Sequence, residues 1–312
     1  MRARHEGGRV VLGAALTLVL AGLLTGCGGD DTDEAAATQS GEASTEPEEV
    51  RLAVTDLQGL EELQREFGAF VDVFEETSGH KLDFFPVTDR TAAAAALDAE
   101  RVDLVFTGPA EYVVMAARTD AEPVVAIRRP DYHSCIYTTA DSGITELADL
   151  VGTKVGMSDI GSTSGHLGPS QLLVDGGVDP QEDVEVLTLG DAVHEALKRG
   201  DVDAVGVGCH DYEEYIEADG AAPSDYPVLV EGPPLPPDVI LAHPELDEDL
   251  VARIKATFED NWDDLLAAML EGKDNAKYEN ASLVLVDDSD YDDVRSMYRA
   301  IGVDDFTEFV GD

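Results

Sequence analysis

Basic residues are scarce in this chain. Twenty Lys and Arg stand against 66 Asp and Glu in 312 residues, which leaves a formal charge of −46. Such a balance excludes nucleic acid as a partner, because phosphate backbones need basic surfaces. It also makes a compact fold repel itself at low ionic strength. In about 1 M salt the Debye length falls to roughly 3 Å and that repulsion is screened. The composition therefore points to a salt-adapted organism, an expectation that unfolding in low-salt buffer and recovery in molar salt would test. Long apolar runs are absent as well: Val10 to Leu24 is 15 residues, short of a comfortable membrane span. The three Cys and seven His give no cluster at ligand spacing, so no metal or other cofactor is expected. A G-x-S-x-G elbow is missing too, and the hydroxyl-rich stretch described below lacks an evident base and orienter. An enzyme is therefore not expected.

What is present begins with a leader. Arg2, Arg4 and Arg9 precede the apolar run, which ends in Leu24-Thr25-Gly26-Cys27. This ending resembles a bacterial lipobox. Residues 1–27 are expected to be a lipoprotein signal peptide, cleaved so that Cys27 carries the lipid. Residues 28–49 are rich in Gly, Ser, Thr, Ala and acids, and they read as a disordered acidic tether. The protein would then sit on the extracytoplasmic face of the cell membrane and touch it through its lipid anchor only. Buried acyl groups would offset the repulsion between its acidic surface and anionic lipids. In an exported protein the two remaining cysteines, Cys135 and Cys209, are expected to pair, although sequence gives no distance between them.

From Val50 onward strands and helices alternate, which argues for sheets covered by helices. Leu60, Leu63, Phe67, Phe70, Val71 and Phe74 recur at helical spacing, and Ser78-Gly79 ends that helix. Further strands are expected at Leu82–Val87, Val102–Phe106, Val124–Ile127, His133–Thr138, Lys154–Met157, Val184–Leu187, Val202–Val207 and Asp238–Ala242. A long amphipathic helix is expected over Leu250 to Met269 and a last one over Tyr291 to Ile301. The chain crosses into a second lobe after Arg128-Arg129-Pro130 and returns after the stiff run Gly232 to Pro237. The expected lobes are 50–128 with 240–312, and 129–239.

The chemistry concentrates in Met157-Ser158-Asp159-Ile160-Gly161-Ser162-Thr163-Ser164-Gly165-His166. A strand ends here, and small hydroxylated residues open a helix. Free N–H groups at a helix start, the helix dipole and three hydroxyls together make an anion site. Gly161 and Gly165 let the backbone approach an oxyanion. Ser162 alone would read as an N-cap. Pro169 predicts a kink in the helix that follows. His166 is expected at the cleft rim, and His194 on the surface.

Several stretches resemble the phosphonate/phosphite/phosphate substrate-binding proteins of ABC importers. They are Asp103-Leu104-Val105-Phe106-Thr107-Gly108-Pro109-Ala110-Glu111-Tyr112, Asp141-Ser142-Gly143-Ile144 with Leu147 to Gly152, Gly161 to Gly165, and Tyr291 to Arg295. The resemblance implies an α/β, two-lobed type II periplasmic-binding-protein fold, with two mixed sheets flanked by helices and a ligand cleft between the lobes. It implies a small phosphorus oxyanion as ligand, an ABC permease as partner, and action as a monomer. It implies ligand contacts from Ser162, Thr163, Ser164, Gly165, Tyr112, Thr107 and Asp238. An aspartate among oxyanion donors can take a proton or pair with an amino group. Arg90 stands where the family often has Tyr, and it would bind an oxyanion bidentately or else be solvated at a helix start. Gly190 replaces a family His, and Gly208-Cys209-His210-Asp211 replaces an expected acidic pair. The same fold could instead serve as a ligand-sensing module for a signalling partner, or bind a different small anion.

Overall fold

The computed structural model describes residues 49–57, 59–88 and 91–310. The leader, Cys27, the tether up to residue 48, and Arg90 lie outside the described residues. In chain order the strands are β1 (Glu49–Val54), β2 (Lys81–Phe84), β3 (Leu104–Thr107), β4 (Glu122–Arg128), β5 (Ser134–Thr138), β6 (Lys154–Met157), β7 (Glu185–Thr188), β8 (Ala204–Gly208), β9 (Val228–Glu231), β10 (Asp238–Ala242) and β11 (Ser282–Val284). The α-helices are α1 (Leu60–Ser78), α2 (Ala92–Asp98), α3 (Pro109–Thr119), α4 (Gly168–Asp175), α5 (Val193–Arg199), α6 (Cys209–Asp219), α7 (Glu248–Met269) and α8 (Asp292–Ala300). Among the described residues no helix is long and apolar enough to cross a membrane.

Helix α1 forms because Leu63, Phe67, Phe70 and Phe74 return to one face, and all four are buried. Gly79 ends it at φ 74°, the left-handed conformation that glycine adopts without a Cβ penalty. Phe70 and Phe74 meet Phe258 of α7 at 6.0 and 5.8 Å between ring centroids. Each such buried ring contributes about 1.5–3 kcal/mol of transfer free energy.

Two mixed sheets result. The first runs β11-β4-β10-β3-β1-β2, with β2, β1 and β3 parallel and β10 antiparallel between β3 and β4. The second runs β7-β6-β8-β5-β9, with β7, β6 and β8 parallel and β5 antiparallel between β8 and β9. The segments joining the sheets run side by side: Gly232 N–H donates to Ser134 O and Leu235 N–H to Tyr132 O, both at 2.8 Å. The four prolines around Leu235 offer no N–H, so pairing there is confined to these few donors. The second crossing ends at Pro237, because Asp238 and Val239 already belong to β10; the lobe boundary expected at 239 lies inside that strand.

Sequence periodicity missed α6, β9 and β11. The two strands are only four and three residues long and half-exposed, too short to show a period. Cys135 and Cys209 are joined by a disulfide with Cα atoms 5.1 Å apart. The ladder sets this up: β5 pairs with β8 with Ser134 opposite Gly208, and Cys209 N–H donates to His133 O at 2.9 Å. The His133 ring lies close to both sulfurs, but their bond leaves no thiolate there for a metal. Expected at the surface, His194 is buried instead, between the Tyr137 hydroxyl at 2.9 Å and Asp219 at 3.1 Å.

Candidate functional site

On the side of the first sheet, β1 and β3 end next to each other. Thr55 and Thr107 hydroxyls are 2.9 Å apart and both buried. Thr107 thus spends one bond on a neighbour rather than standing free. Gly108 caps α3, and Pro109 occupies its first turn, where a missing N–H costs nothing. The first N–H at that helix start is therefore that of Ala110. It donates across to Thr163 Oγ1 at 3.0 Å. The start of α3 on one lobe and the hydroxyl loop of the other are in direct contact.

That loop is braced from within. Ser158 N–H donates to Gly165 O at 2.9 Å and Ser162 N–H to Asp159 O at 3.0 Å. Ser162 Oγ accepts the Gly165 N–H at 3.2 Å, so its acceptor role is the N-cap and only its O–H is left to donate. Gly165 spends its N–H there and is not a backbone donor to a ligand. Its role is close approach, since a Cβ would stand 2.5 Å from Ser158 Cβ. His166, expected at the rim, is buried, and its Nδ1 accepts Gly161 N–H at 3.1 Å. Burial pushes its pKa down to about 4, so it is a neutral acceptor at neutral pH.

The helix that follows does not kink at Pro169. A π-turn over Thr163–Leu167 absorbs the irregularity, and α4 restarts at Gly168 with Pro169 in its first turn. Such π segments are frequent at functional sites. Thr163 and Ser164 both sit in this turn and are buried.

Between the two sides lies a cluster that sequence reading missed. Tyr132, on the first crossing, is buried, and its backbone O accepts Leu235 N–H at 2.8 Å. Burial pushes the phenol up to about 12, with the Arg129 charge pulling the other way. The Arg129 guanidinium stacks 3.4 Å over the Tyr132 ring. Its NH2 group donates to Asp238 Oδ1 at 3.0 Å, and the Tyr278 hydroxyl donates to Asp238 Oδ2 at 2.8 Å. Asp238, expected among the ligand contacts, has an internal cation and an internal donor. Tyr278 is fully buried and its pKa is raised, first by burial and then by Asp238.

Tyr112, expected to donate to the ligand, has another partner. Its hydroxyl donates to Asp288 at 3.0 Å and its ring packs on Tyr291, so it belongs to a packing cluster on the far side of α3. At the start of α6, His210 Nε2 lies 3.2 Å from Asp211 Oδ1. Burial moves His210 down to about 4 and Asp211 up to about 6, so at neutral pH a neutral imidazole faces a carboxylate. Gly190 has φ 55°, a left-handed conformation that favours glycine, and a Cβ there would lie 3.0 Å from Asp159 Oδ1.

Arg129, Tyr132, His133, His210 and Lys277 line one cavity of about 240 Å³. The sequence held one signal for this: Arg128-Arg129-Pro130 spends two of only 20 bases at the crossing. Tyr132 and Tyr278 carried none.

Two sheets on two crossing segments, with strand ends and helix starts facing across them, define a two-lobed solute-binding protein. The chain belongs to the family of phosphonate periplasmic substrate-binding proteins of ABC transporters, whose profile matches residues 53–291. It is 31% identical over 185 residues to the phosphate-import protein PhnD of Mycolicibacterium smegmatis, covering 57% of this chain and 54% of that one. The chain thus matches about half the length of that relative. PhnD1 of Prochlorococcus marinus, solved with methylphosphonate, superposes with a TM-score of 0.61 at 17% identity, over 82% of this chain and 99% of the other. The aliphatic sulphonate-binding protein SsuA of Escherichia coli gives a TM-score of 0.54 at 17% identity, over 84% and 91%. At these identities the solved structures speak for the fold.

Proposed function

We propose that this chain is an extracytoplasmic solute-binding lipoprotein of an ABC importer. It captures a small phosphorus oxyanion (phosphonate, phosphite or phosphate) between its lobes and delivers it to the permease without chemical change. Binding holds the lobes closed, and the permease reads the closed state. Thr163 and Ser164 hold the ligand oxygens, with Ser162 donating its O–H from the same loop and Thr107 lying at the opposite wall. The single observation that carries this reading is the Ala110 N–H to Thr163 Oγ1 contact. It supports an anion site built from both lobes, because an oxyanion that displaces this contact would accept from a helix start and a hydroxyl together. Family membership supports the phosphorus class. The leader and Cys27 support lipid anchoring at the outer face of the membrane, and the protein acts there as a monomer.

Calorimetric titration in molar salt against phosphite, phosphate, methylphosphonate, 2-aminoethylphosphonate and sulfate tests the reading. One phosphorus compound should bind tightly and sulfate poorly. Thr163→Val should weaken that compound roughly 10- to 100-fold, the range expected for losing a hydrogen bond to a charged group, and should lower the melting temperature somewhat because Ala110 N–H loses its acceptor as well. Silence from all five, or preference for sulfate, would remove the proposal.

A further inference from the structure

We infer that Arg129 is an anion-binding residue of the cleft and that its pairing with Asp238 selects phosphorus oxyanions that carry no ammonium group. The inference rests on the cleft reading above and deepens it. Four observations carry it. The Arg129 side chain is nine-tenths buried, yet its Nε has no hydrogen-bond partner. A buried guanidinium N–H without an acceptor is costly unless something accepts from it. Secondly, the group is held rigidly in place, with its face on Tyr132 at 3.4 Å and its NH2 on Asp238 at 3.0 Å. A planar fork fixed on one edge keeps its other edge for a second acceptor, and oxyanions match that geometry. Thirdly, the ring beneath it is itself buried and fixed on the first crossing, where Tyr132 O accepts Leu235 N–H at 2.8 Å. Fourthly, Arg129 lines a cavity of about 240 Å³ that Lys277 also borders, with Asp131, Glu213 and Glu214 lining it as well.

The selectivity follows from Asp238. Its two oxygens are taken by Arg129 and by the Tyr278 hydroxyl, and it is 2% exposed. An aminoalkyl ligand would bring a second cation to a carboxylate already neutralised, beside a guanidinium that repels it. Phosphate, phosphite and simple alkylphosphonates meet no such penalty. Asp238 thus acts as a positioning residue that orients Arg129 and is not itself an ammonium acceptor.

The test is calorimetric titration of the intact protein in molar salt with phosphate, phosphite, methylphosphonate and 2-aminoethylphosphonate. Wild type, Arg129→Lys and Asp238→Asn are compared, each checked for folding by its melting curve. The wild type should bind one of the first three at least tenfold more tightly than the aminophosphonate. Arg129→Lys keeps the charge but loses the fork, and should weaken that ligand roughly 10- to 100-fold. Asp238→Asn loosens the hold on Arg129 and should weaken that ligand too, by less than Arg129→Lys does. Unchanged affinity in Arg129→Lys would overturn the role of the arginine while leaving the cleft reading intact. A wild type that prefers 2-aminoethylphosphonate, with that preference lost in Asp238→Asn, would overturn the selectivity. A wild type that binds none of the four would remove the cleft reading and this inference with it.

Discussion

On the surface, Arg199 and Asp201 meet at 2.8 Å with side chains 59% and 58% exposed. In the cleft, Arg129 and Asp238 meet at 3.0 Å with side chains 10% and 3% exposed. The two pairs have nearly the same length and very different weight. Water and salt screen the first, while the second is held where screening is weak and desolvation is severe. The difference explains how a chain of formal charge −46 can hold an anion. Net charge acts through solvent over many ångströms. A local guanidinium, a helix start and two hydroxyls act at contact distance, in a setting where hydrogen bonds to charged groups are strong.

The comparison can be broken most forcefully at the buried pair. Arg129→Ala leaves Asp238 buried without its cation, and removing one member of such a pair costs about 3–5 kcal/mol. Chemical denaturation in molar salt should show most of that loss; a loss below about 1 kcal/mol would mean that the pair is solvated like one at the surface.

A step smaller is the brace behind the hydroxyl loop. His166 has a folded pKa of about 4 against an ordinary value of 6.5. The unfolded chain therefore takes up a proton at pH values where the folded one does not. Stability from this group is fully present above pH 6.5 and is lost as the pH falls toward 4, by roughly 3 kcal/mol at about 1.36 kcal/mol per pH unit. His166→Asn keeps an acceptor for Gly161 N–H but cannot titrate. Unfolding free energies at pH 7.5 and 4.5 should fall less in that variant than in the wild type. Equal falls would assign the acid sensitivity to other groups.

Smallest is the surface pair itself. Arg199→Ala should change stability by less than about 1 kcal/mol in dilute buffer and by nothing measurable in molar salt. A loss as large as that of Arg129→Ala would erase the distinction between the two regions.

Much of this arrangement was legible in the sequence because it is local. The β6–loop–helix stretch is contiguous, and its strand bounds and its Ser162 cap follow from small-residue and helix-start chemistry within ten residues. The Gly108-Pro109 helix start is equally local. What was hidden is what the fold assembles from afar. Arg129, Asp238 and Tyr278 are separated by 109 and 40 residues along the chain and meet only once β4, β10 and the segment before β11 are in place. Tyr112 was misread for the opposite reason. Its motif position is local, but the direction of its hydroxyl is set by Asp288, 176 residues away. The π-turn was missed because Pro169 predicts a break without saying which form the break takes.

A crystal structure of the protein grown in molar salt with its tightest phosphorus ligand tests the central claim most directly. The account predicts the ligand between the lobes, its oxygens within about 3 Å of Thr163 Oγ1, Ala110 N and the Arg129 guanidinium, the ordinary range for charge-assisted hydrogen bonds. A ligand seated elsewhere, with Ala110 N–H still donating to Thr163 Oγ1 and Arg129 Nε still unpartnered, would contradict it.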